Sequence, residues 1–332
     1  MKAFPGLVAF VGVLLVATTL LRAHTVGVAT NKASGPLEPG EYYWKPELSP
    51  RGPVVIVVSL PRQLMVVYRN GVQIARSTVS SGAGKKATPT GVFEILQKRQ
   101  EHYSNIYNNA PMPYMQRLTW SGIALHAGKL PGYPASKGCI RLPYDFSQHL
   151  FGVTKMGGTV IIADEKSPRA EFTANPGLAL APAEQSAEAL RPLAPGDYQW
   201  MPERSATGPV TIMISAADQK LYVYRTGVLI GRAAVGIRGP DPLGEHIFTL
   251  LEGVASKPSL LVPGRNALRW MEVTPGSKGS DVTADDLIRR LRLARPFAEK
   301  LYALVIPGTT VVVTDDPALR EVDSNLTIIA ND

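Results

Sequence analysis

The chain has 332 residues, of which 45% are hydrophobic and 19% are charged, with a formal net charge of +8 and a single cysteine. This length predicts about two domains with ordinary hydrophobic cores, and a single cysteine excludes a scaffold held together by internal disulfides. The positive charge favours anionic partners, but the sequence has no zinc finger, RNP motif or long basic run, which argues against nucleic acid.

The first residues have the pattern of an export or membrane segment. Residues 3–21 are apolar and almost uncharged between Lys2 and Arg22. Such a segment directs export and is long enough to cross a bilayer. Two fates stay open: a signal peptide at residues 1–29, cleaved after Ala29, or a retained anchor in which residues 3–21 contact the inner membrane. Both predict that the body of the protein works outside the cytoplasm.

The chain contains an internal duplication. Residues 40–79 match residues 196–235 without a gap at 20 of 40 positions, and residues 158–162 are similar to residues 309–313. A unit of this length is too long for a solenoid repeat, so we predict two tandem domains. The predicted boundaries are 36–165 for the first domain, 166–194 for an Ala/Pro-rich linker, 195–318 for the second domain and 319–332 for a tail.

Each copy has the pattern of a β-rich domain. Val54–Ser59 is an apolar run, Asn70-Gly71 is a hairpin signal, and residues 72–79 alternate in polarity. Helices are few: residues 143–150 are a short candidate, and a capping box at residues 283–286 begins a basic helix that runs to about residue 294. Short strands between Gly/Pro turns predict a mainly β fold, either a β-sandwich or a β-rich α+β domain.

The single cysteine, Cys139, follows His126 by thirteen residues in a run of small and polar residues. A histidine can accept the proton of a thiol, and the thiolate can then attack a carbonyl carbon. The alternative is that the cysteine is a small buried apolar residue and that the histidine is structural. Between Lys85 and Arg141 there are eight basic residues and two acidic ones, so the candidate site lies in a basic part of the chain.

This region resembles a known family. His126-Ala-Gly-Lys-Leu-Pro-Gly and Ser136-Lys-Gly-Cys-Ile-Arg141 are similar to the signature of bacterial L,D-transpeptidases of the YkuD type, and residues 87–93 and 111–115 resemble segments upstream of it. The resemblance covers roughly residues 52–165 and implies a β-sandwich with a small helical element, here present twice. It departs from the family at Lys137, where a histidine is usual.

The resemblance implies a role for each residue of the signature. Cys139 is the expected nucleophile, and His126 is its expected general base. The residues expected to form the oxyanion hole or to orient the imidazole are Gly138, Lys137 and Ala127. The residues expected to bind substrate are Arg141, Ser136, Tyr114 and Gly128. Because the base matches His126, the departure at Lys137 affects rate and substrate preference more than reaction class.

The activity that the resemblance implies is exchange of a peptide bond in the tetrapeptide stems of peptidoglycan, in the periplasm, through a thioester on the cysteine. The acceptor stays open: an amine of another stem gives a cross-link, a lysine of a wall-attached protein gives protein attachment, and water makes the enzyme an L,D-carboxypeptidase. An activated thiol of this kind is a carbapenem target. The alternative is a peptidoglycan-binding scaffold with weak or no activity.

Neither a metal nor another cofactor is predicted, because the five histidines lack metal-ligand spacing. The second copy has no cysteine, and no histidine where His126 would fall. Its matching stretch is taken as residues 268–280, with Ser280 in the place of the cysteine. We therefore predict that the second copy binds, packs or positions, without the Cys/His chemistry.

Overall fold

A computed structural model describes residues 24–105, 107–164, 188–273 and 283–317, and over these ranges the protein is mainly β. The prediction of a mainly β protein with few short helices is confirmed. In chain order the strands are β1 (Val28–Thr30), β2 (Glu41–Trp44), β3 (Val54–Ser59), β4 (Leu64–Arg69), β5 (Val72–Thr78), β6 (Gly91–Glu94), β7 (Gln97–Arg99), β8 (Met115–Arg117), β9 (Ala124–Ala127), β10 (Ile140–Leu142), β11 (Thr159–Ala163), β12 (Tyr198–Trp200), β13 (Val210–Ser215), β14 (Lys220–Arg225), β15 (Val228–Ala234), β16 (Gly236–Ile237), β17 (His246–Pro258), β18 (Asn266–Glu272), β19 (Leu291–Arg292) and β20 (Thr310–Thr314). The described helices are α1 (Tyr144–Val153), α2 (Ala284–Arg290) and α3 (Arg295–Leu304), with 3-10 turns at Pro46–Leu48, Gly84–Lys86 and Pro202–Arg204.

The first sheet has seven strands in the order β1-β2-β5-β4-β3-β11-β6. Strands β3, β4 and β5 form antiparallel hairpins, and the predicted turn at Asn70-Gly71 has positive φ at both residues. Strand β11 returns beside β3 as a parallel neighbour and pairs with β6 on its other side. Strand β3 is therefore central in the sheet, which explains why its sequence is apolar on both faces.

A second sheet of four strands, in the order β10-β9-β8-β7, covers one face of the first sheet. The buried side chains between the two sheets form the core of the first unit. Members of this core include Ile56, Val67, Phe93, Leu125, Ile140 and Phe146. The sandwich places the candidate nucleophile and base in its smaller sheet.

The third sheet repeats the strand order of the first. Its order β12-β15-β14-β13-β20-β17-β18 runs in the same sense as β2-β5-β4-β3-β11-β6, and the parallel pair β13–β20 corresponds to β3–β11. In the second unit, α2, α3 and β19 take the place of a four-stranded sheet over the inner face. The core there includes Ile212, Val223, Phe297 and Leu301.

The two units also share their aromatic packing. The ring of Phe146 in α1 lies 5.7 Å from Trp44 at an interplanar angle of 88°. The ring of Phe297 in α3 lies 5.5 Å from Trp200 at the same angle. The sequence around Trp44 is repeated around Trp200, and in each unit the tryptophan contacts a phenylalanine of a helix in the same edge-to-face geometry.

The basic helix of the second unit is shorter than predicted. The capping box is present, since Thr283 Oγ1 accepts a hydrogen bond from the backbone of Asp286 and the carboxylate of Asp286 accepts one from the backbone of Thr283. The helix ends at Arg290 because the next two residues form β19, which pairs with β16. A new helix, α3, begins directly afterwards with a proline in its first turn, where proline is tolerated.

The first and third sheets pack back to back. Their outer faces share an apolar cluster that includes Val55, Ile161 and Val312. The hydroxyls of Thr159 and Thr310 lie 2.8 Å apart between the units. These two threonines hold equivalent positions, because each is the first residue of a strand that pairs in parallel with the central strand of its sheet.

The structure extends both units beyond the predicted boundaries. Strand β1 pairs in parallel with β2, so residues before position 36 belong to the first unit. Residues 188–190 are helical, Ala189 is buried, and Arg232 donates hydrogen bonds to the carbonyls of Ala189 and Arg191 at 3.1 and 2.6 Å. The rest of the predicted linker and the tail from residue 319 lie outside the described residues.

Within the described ranges, no helix is long and apolar enough to cross a membrane. The predicted export or anchor segment at residues 3–21 lies outside those ranges.

Candidate active site

Two neighbouring parallel strands bring the candidate nucleophile and base together. His126 is the third residue of β9, and Cys139 directly precedes β10. The strands pair with Arg141 opposite His126 and Ile140 opposite Leu125. Cys139 and His126 are thirteen residues apart in the sequence, but the pairing of their strands brings them close together in the sheet.

The loop that presents Cys139 is held by internal hydrogen bonds. The buried Ser136 hydroxyl donates to the carbonyl of Cys139 at 2.5 Å and accepts from the N–H of Gly138 at 3.1 Å. Thr88 Oγ1 donates to the carbonyl of Gly138 at 2.8 Å. Through these contacts Ser136 shapes the loop, and the N–H of Gly138 is engaged by the Ser136 hydroxyl. The prediction from the sequence is substrate binding for Ser136 and the oxyanion hole for Gly138.

Two glycines make the loop geometry possible. Gly138 has a φ of +116°, a conformation that favours glycine over other residues. A Cβ on Gly82 would lie 2.1 Å from the carbonyl oxygen of Lys86 and 2.8 Å from the Cα of Gly138. The backbone around Gly82 thus forms a wall behind the loop that presents Cys139.

The thiol of Cys139 is mostly buried and protonated at rest. Its Sγ donates to the carbonyl of Gly122 at 3.4 Å. Burial raises the pKa of the thiol, while a hydrogen bond from the backbone of Ala124 and the charges of Arg141 and Arg117 act in the opposite direction. A thiol of this kind requires a base to become a nucleophile near neutral pH.

His126 is buried with its ring fixed by the adjacent backbone. Nδ1 lies 2.8 Å from the carbonyl oxygen of Ala127, and because a carbonyl only accepts, Nδ1 carries the proton and Nε2 keeps its lone pair. Burial lowers the pKa of His126 to about 4, although the hydrogen bond to Ala127 opposes the effect. At neutral pH the imidazole is therefore neutral and able to accept a proton.

This lowered pKa predicts a loss of stability in acid. The unfolded chain binds a proton on His126 near the ordinary pKa of 6.5, whereas the folded chain binds it only at about 4. Stability should fall as pH decreases between these values, by about 3 kcal/mol for this group. Urea unfolding at pH 7 and pH 4 measures the loss of stability. In His126→Asn this loss should be smaller by about 3 kcal/mol. An equal loss in both proteins would contradict the prediction.

Arg141 lies opposite His126 in the sheet, and its guanidinium can bind an anion. Its side chain is half-buried and forms no ion pair with a carboxylate in the described part of the chain. A Cβ on Gly128 would lie 2.7 Å from Cγ of Arg141. Gly128 therefore makes room for the arginine, and the arginine is available for an anion from outside.

Tyr114 lies in a buried aromatic cluster instead of lining an open groove. Its ring centroid is 5.4 Å from Tyr144 and 5.8 Å from Phe151, and its backbone has a positive φ of 55°. The preceding residue, Pro113, accepts a hydrogen bond from the N–H of Ala127 at 2.9 Å. This contact supports the strand that carries His126.

The side chain of Lys137 contacts the ring of Tyr107. Its ammonium lies 4.5 Å from the ring centroid of Tyr107, a cation–π contact, and it is not among the charges that shift the pKa of Cys139. Tyr107 is not among the residues predicted from the sequence, because no local pattern pairs it with Lys137. Exposed rings of Tyr103, Trp120 and Tyr133 lie on loops of the same unit.

Replacing Lys137 by glutamine should leave the pKa of the Cys139 thiol nearly unchanged. Arg141→Gln removes the same charge from a side chain that does lower this pKa, so it should shift the midpoint of alkylation upward. The pH dependence of iodoacetamide labelling measures both. Equal upward shifts in the two variants would show that Lys137 acts on the thiol after all.

A segment near the N-terminus of the described chain braces the site. The N–H of Thr25 donates to the carbonyl of Gly128 at 3.0 Å, and its carbonyl accepts from Tyr144 at 2.9 Å. Its hydroxyl accepts from the N–H of Leu130 at 2.9 Å. The imidazole of His24 is close enough to lower the pKa of His126. Both His24 and Thr25 fall within residues 1–29, the predicted export signal or anchor.

Thr25→Val should destabilise the protein by about 1 kcal/mol, because the part-buried N–H of Leu130 loses its acceptor. Thr30→Val is the matched control, since Thr30 Oγ1 accepts only an exposed bond from Lys32 and its loss should cost less than about 0.5 kcal/mol. Chemical denaturation measures both. Equal destabilisation by Thr25→Val and Thr30→Val would contradict the proposed role of Thr25 in stabilising the site.

The second unit holds an arginine where the first holds its cysteine. Arg141 bridges to Ser80 and Arg292 pairs with Gly236 at the same place in each fold. Arg290, the last residue of α2, lies two residues before Arg292, as Cys139 lies two residues before Arg141. The guanidinium of Arg290 donates to the carbonyls of Arg238 and Pro242 at 2.9 Å each. The prediction of Ser280 in the place of the cysteine falls on residues 277–280, which lie outside the described residues.

No group of three or more His, Cys, Asp or Glu residues that could hold a metal ion occurs among the described residues.

The fold and site define a β-sandwich domain in which a mostly buried cysteine directly precedes one strand, and the neighbouring strand carries a buried, neutral histidine. Residues 53–162 match the sequence model of the YkuD family, described as the L,D-transpeptidase catalytic domain. The matched segment makes up about one third of the chain. No curated protein is significantly similar to the chain.

Solved structures similar to the chain include three L,D-transpeptidases. One from Stackebrandtia nassauensis is 27% identical over 34% of this chain and 55% of its own, with a TM-score of 0.31. One from Mycobacterium tuberculosis is 22% identical over 34% and 58%, with a TM-score of 0.33. An L,D-transpeptidase solved in complex with imipenem is 23% identical over 34% and 61%, with a TM-score of 0.31. The chain thus spans less than two thirds of the length of these structures.

Proposed function

We propose that the first unit is a cysteine-dependent L,D-transpeptidase, an acyltransferase that acts on peptidoglycan stem peptides. The observation that carries this proposal is the parallel pairing of β9 and β10, which places Cys139 beside the strand of His126. The hydrogen bond from His126 Nδ1 to the Ala127 carbonyl leaves Nε2 as the base. The match of residues 53–162 to the L,D-transpeptidase family model supports the reaction class.

In the proposed first step, His126 Nε2 takes the thiol proton as Sγ attacks the carbonyl carbon of the L-to-D peptide bond. Backbone N–H groups at Lys137 and Cys139 supply donors for the developing oxyanion. The carbon–nitrogen bond then breaks, the imidazolium gives its proton to the leaving amine, and D-alanine departs. The acyl group remains on Cys139 as a thioester.

In the proposed second step, an acceptor amine attacks the thioester while Nε2 takes a proton from that amine. The carbon–sulfur bond breaks, and the imidazolium returns the proton to the thiolate. A stem-peptide amine gives a cross-link, a lysine of a wall-attached protein gives a protein–wall bond, and water gives hydrolysis. The same two groups serve all three acceptors, so the acceptor is decided by what can reach the thioester.

The proposed substrate is anionic, which suits the charge of the site. The half-buried guanidinium of Arg141 can bind a carboxylate of the stem peptide with two hydrogen bonds. Arg117 contributes a further positive charge near the thiol. Carbapenems are also acyl donors with a carboxylate, so they serve as probes of the same groups.

The proposed location is outside the cytoplasm, in the periplasm, with the N-terminal segment retained as a membrane anchor. Cleavage after Ala29 would divide β1, in which Ala29 pairs with Tyr42 and Thr30 with Tyr43. It would also remove Thr25 and its three hydrogen bonds around the site. These contacts favour retention over cleavage at that position, and the N-terminal sequence of the protein isolated from membranes would decide.

The test begins with the intact mass of the protein after incubation with a carbapenem. One adduct on the wild type and none on Cys139→Ala would support an activated thiol. Incubation with a tetrapeptide stem and an acceptor amine then separates the outcomes by product. A new amide supports transfer, a tripeptide alone supports carboxypeptidase activity, and no adduct on folded protein that still binds peptidoglycan supports the scaffold alternative.

A further inference from the structure

The second unit contains an apolar cavity of about 150 Å³. Its floor is the inner face of the third sheet, at Ile212 and Val311, and its walls are α2, α3 and the hairpin of β17 and β18. The side chains that line it are almost all aliphatic or aromatic. The polar exceptions are Ser259, Asp285 and Tyr302.

The cavity occurs where the two units differ. In the first unit, the inner face of the large sheet is covered by β7 to β10. In the described part of the second unit, two short helices cover the same face less completely. Val311 lies on β20, which has a strand on each side, and yet it is only partly buried. Trp270 and Leu268, on the opposite wall, are partly exposed as well.

An empty cavity of this kind is unfavourable, because the atoms that line it lack partners for dispersion contacts. It does not fill with ordered water, because water requires polar partners. Apolar cavities of about this volume accept molecules the size of a benzene ring. The lining therefore favours an apolar occupant of roughly six carbon atoms.

The surroundings of the cavity indicate an occupant with a charged end. Lys257 and Asp285 form an ion pair at its solvent side, with 56% and 34% of their side chains exposed. The lysine ammonium has three donors, of which Asp285 uses one. Asp285 lines the cavity and its partner Lys257 is more than half exposed, so the pair lies between the apolar lining and water.

We propose that this cavity binds the alkyl chain of an anionic amphiphile, with Lys257 contacting the head group. The site is distinct from the Cys139 site, and it gives the second unit, which holds Arg290 in place of the cysteine, a binding role of its own. It does not depend on the proposed transpeptidase activity.

Photoaffinity labelling of the full chain with an ω-diazirine undecanoate tests the proposal. We expect saturable labelling of the hairpin peptide that contains Leu268 and Trp270, and competition by undecanoate. Ala267→Phe should fill the cavity and lower this labelling at least about tenfold. Ala255→Phe, the same change on the same hairpin but outside the lining, should stay within about twofold.

Carbapenem acylation of Cys139 in both variants reports whether the first unit remains intact, so failure of this proposal is distinguishable from failure of the proposed function. Lys257→Gln should lower labelling by the acid about threefold and leave labelling by the matching alcohol unchanged. Labelling confined to residues 3–21, labelling that does not saturate, or equal labelling of the two alanine variants would overturn the cavity as a site. Equal effects of Lys257→Gln on acid and alcohol would overturn the anionic head group.

Discussion

Replacing His126 by asparagine is expected to lower the rate of carbapenem acylation by about 10²- to 10⁴-fold, the usual contribution of a general base. The thiol of Cys139 is buried enough that its pKa is raised, so little thiolate exists at neutral pH without a base. Asparagine can still donate to the carbonyl of Ala127, which His126 Nδ1 contacts at 2.8 Å, but it cannot accept a proton. His126→Asn should therefore remove the general base while the fold around Ala127 is kept.

The pH dependence of the same reaction checks the state of the imidazole. Below its pKa the ring is charged and cannot act as a base, and burial places that pKa at about 4. The acid limb of the acylation rate should therefore lie near pH 4 and not near 6.5. Mass spectrometry of the adduct over time measures the rate, and Cys139→Ser is the control that should form no thioester. Acylation of His126→Asn within about threefold of the wild type would exclude a general-base role.

Local patterns predicted those parts of the fold that depend on neighbours in sequence. The apolar run at Val54–Ser59 became the central strand β3, and Asn70-Gly71 formed the hairpin turn. These signals work because strand burial and turn geometry are properties of a few adjacent residues. The mainly β fold followed from their repetition along the chain.

The candidate pair of Cys139 and His126 was predictable because the residues lie in one motif, but their surroundings were not. The cation–π contact of Lys137 with Tyr107 and the hydrogen bonds of Thr25 with Gly128 and Leu130 join residues that are distant in sequence. Neither periodicity nor composition encodes such contacts. The prediction for the residues after the apolar N-terminal run rests on their position in the chain, whereas the contacts that place them in the first unit are long-range.

The position equivalent to the cysteine shows how local similarity can mislead. Ser277-Lys-Gly279 is similar to Ser136-Lys-Gly138, which suggested a serine at the equivalent place. Residues 277–280 lie outside the described residues, whereas pairing of β16 with β19 aligns Arg292 with Arg141 and so puts Arg290 two residues before the aligned arginine, as Cys139 is in the first unit. Three small or common residues are a weak signal, whereas strand register fixes every position along the strand.

The strongest expected effect on stability is at the packing of the first sheet against the third. Ile161 is fully buried in the shared cluster, while its neighbours Val160 and Ile162 face the core of the first unit. Ile161→Asp would place a carboxylate between two apolar faces without a partner, and such a change should cost roughly 3–5 kcal/mol. Ile161→Val keeps the surface apolar and should cost only about 1 kcal/mol.

Calorimetry of the intact protein distinguishes lost packing from general unfolding. Back-to-back packing that includes Ile161, Val312 and the hydrogen bond between Thr159 and Thr310 should make the two units unfold together in the wild type and in Ile161→Val. In Ile161→Asp the contact is broken and each unit keeps its own inner core, so two separate transitions are expected. A single transition in Ile161→Asp, with a melting temperature like that of Ile161→Val, would show that the shared face contributes little. The same comparison tests whether the second unit supports the first. Loss of acylation at Cys139 only after separation would mean that the site in the first unit depends on this packing.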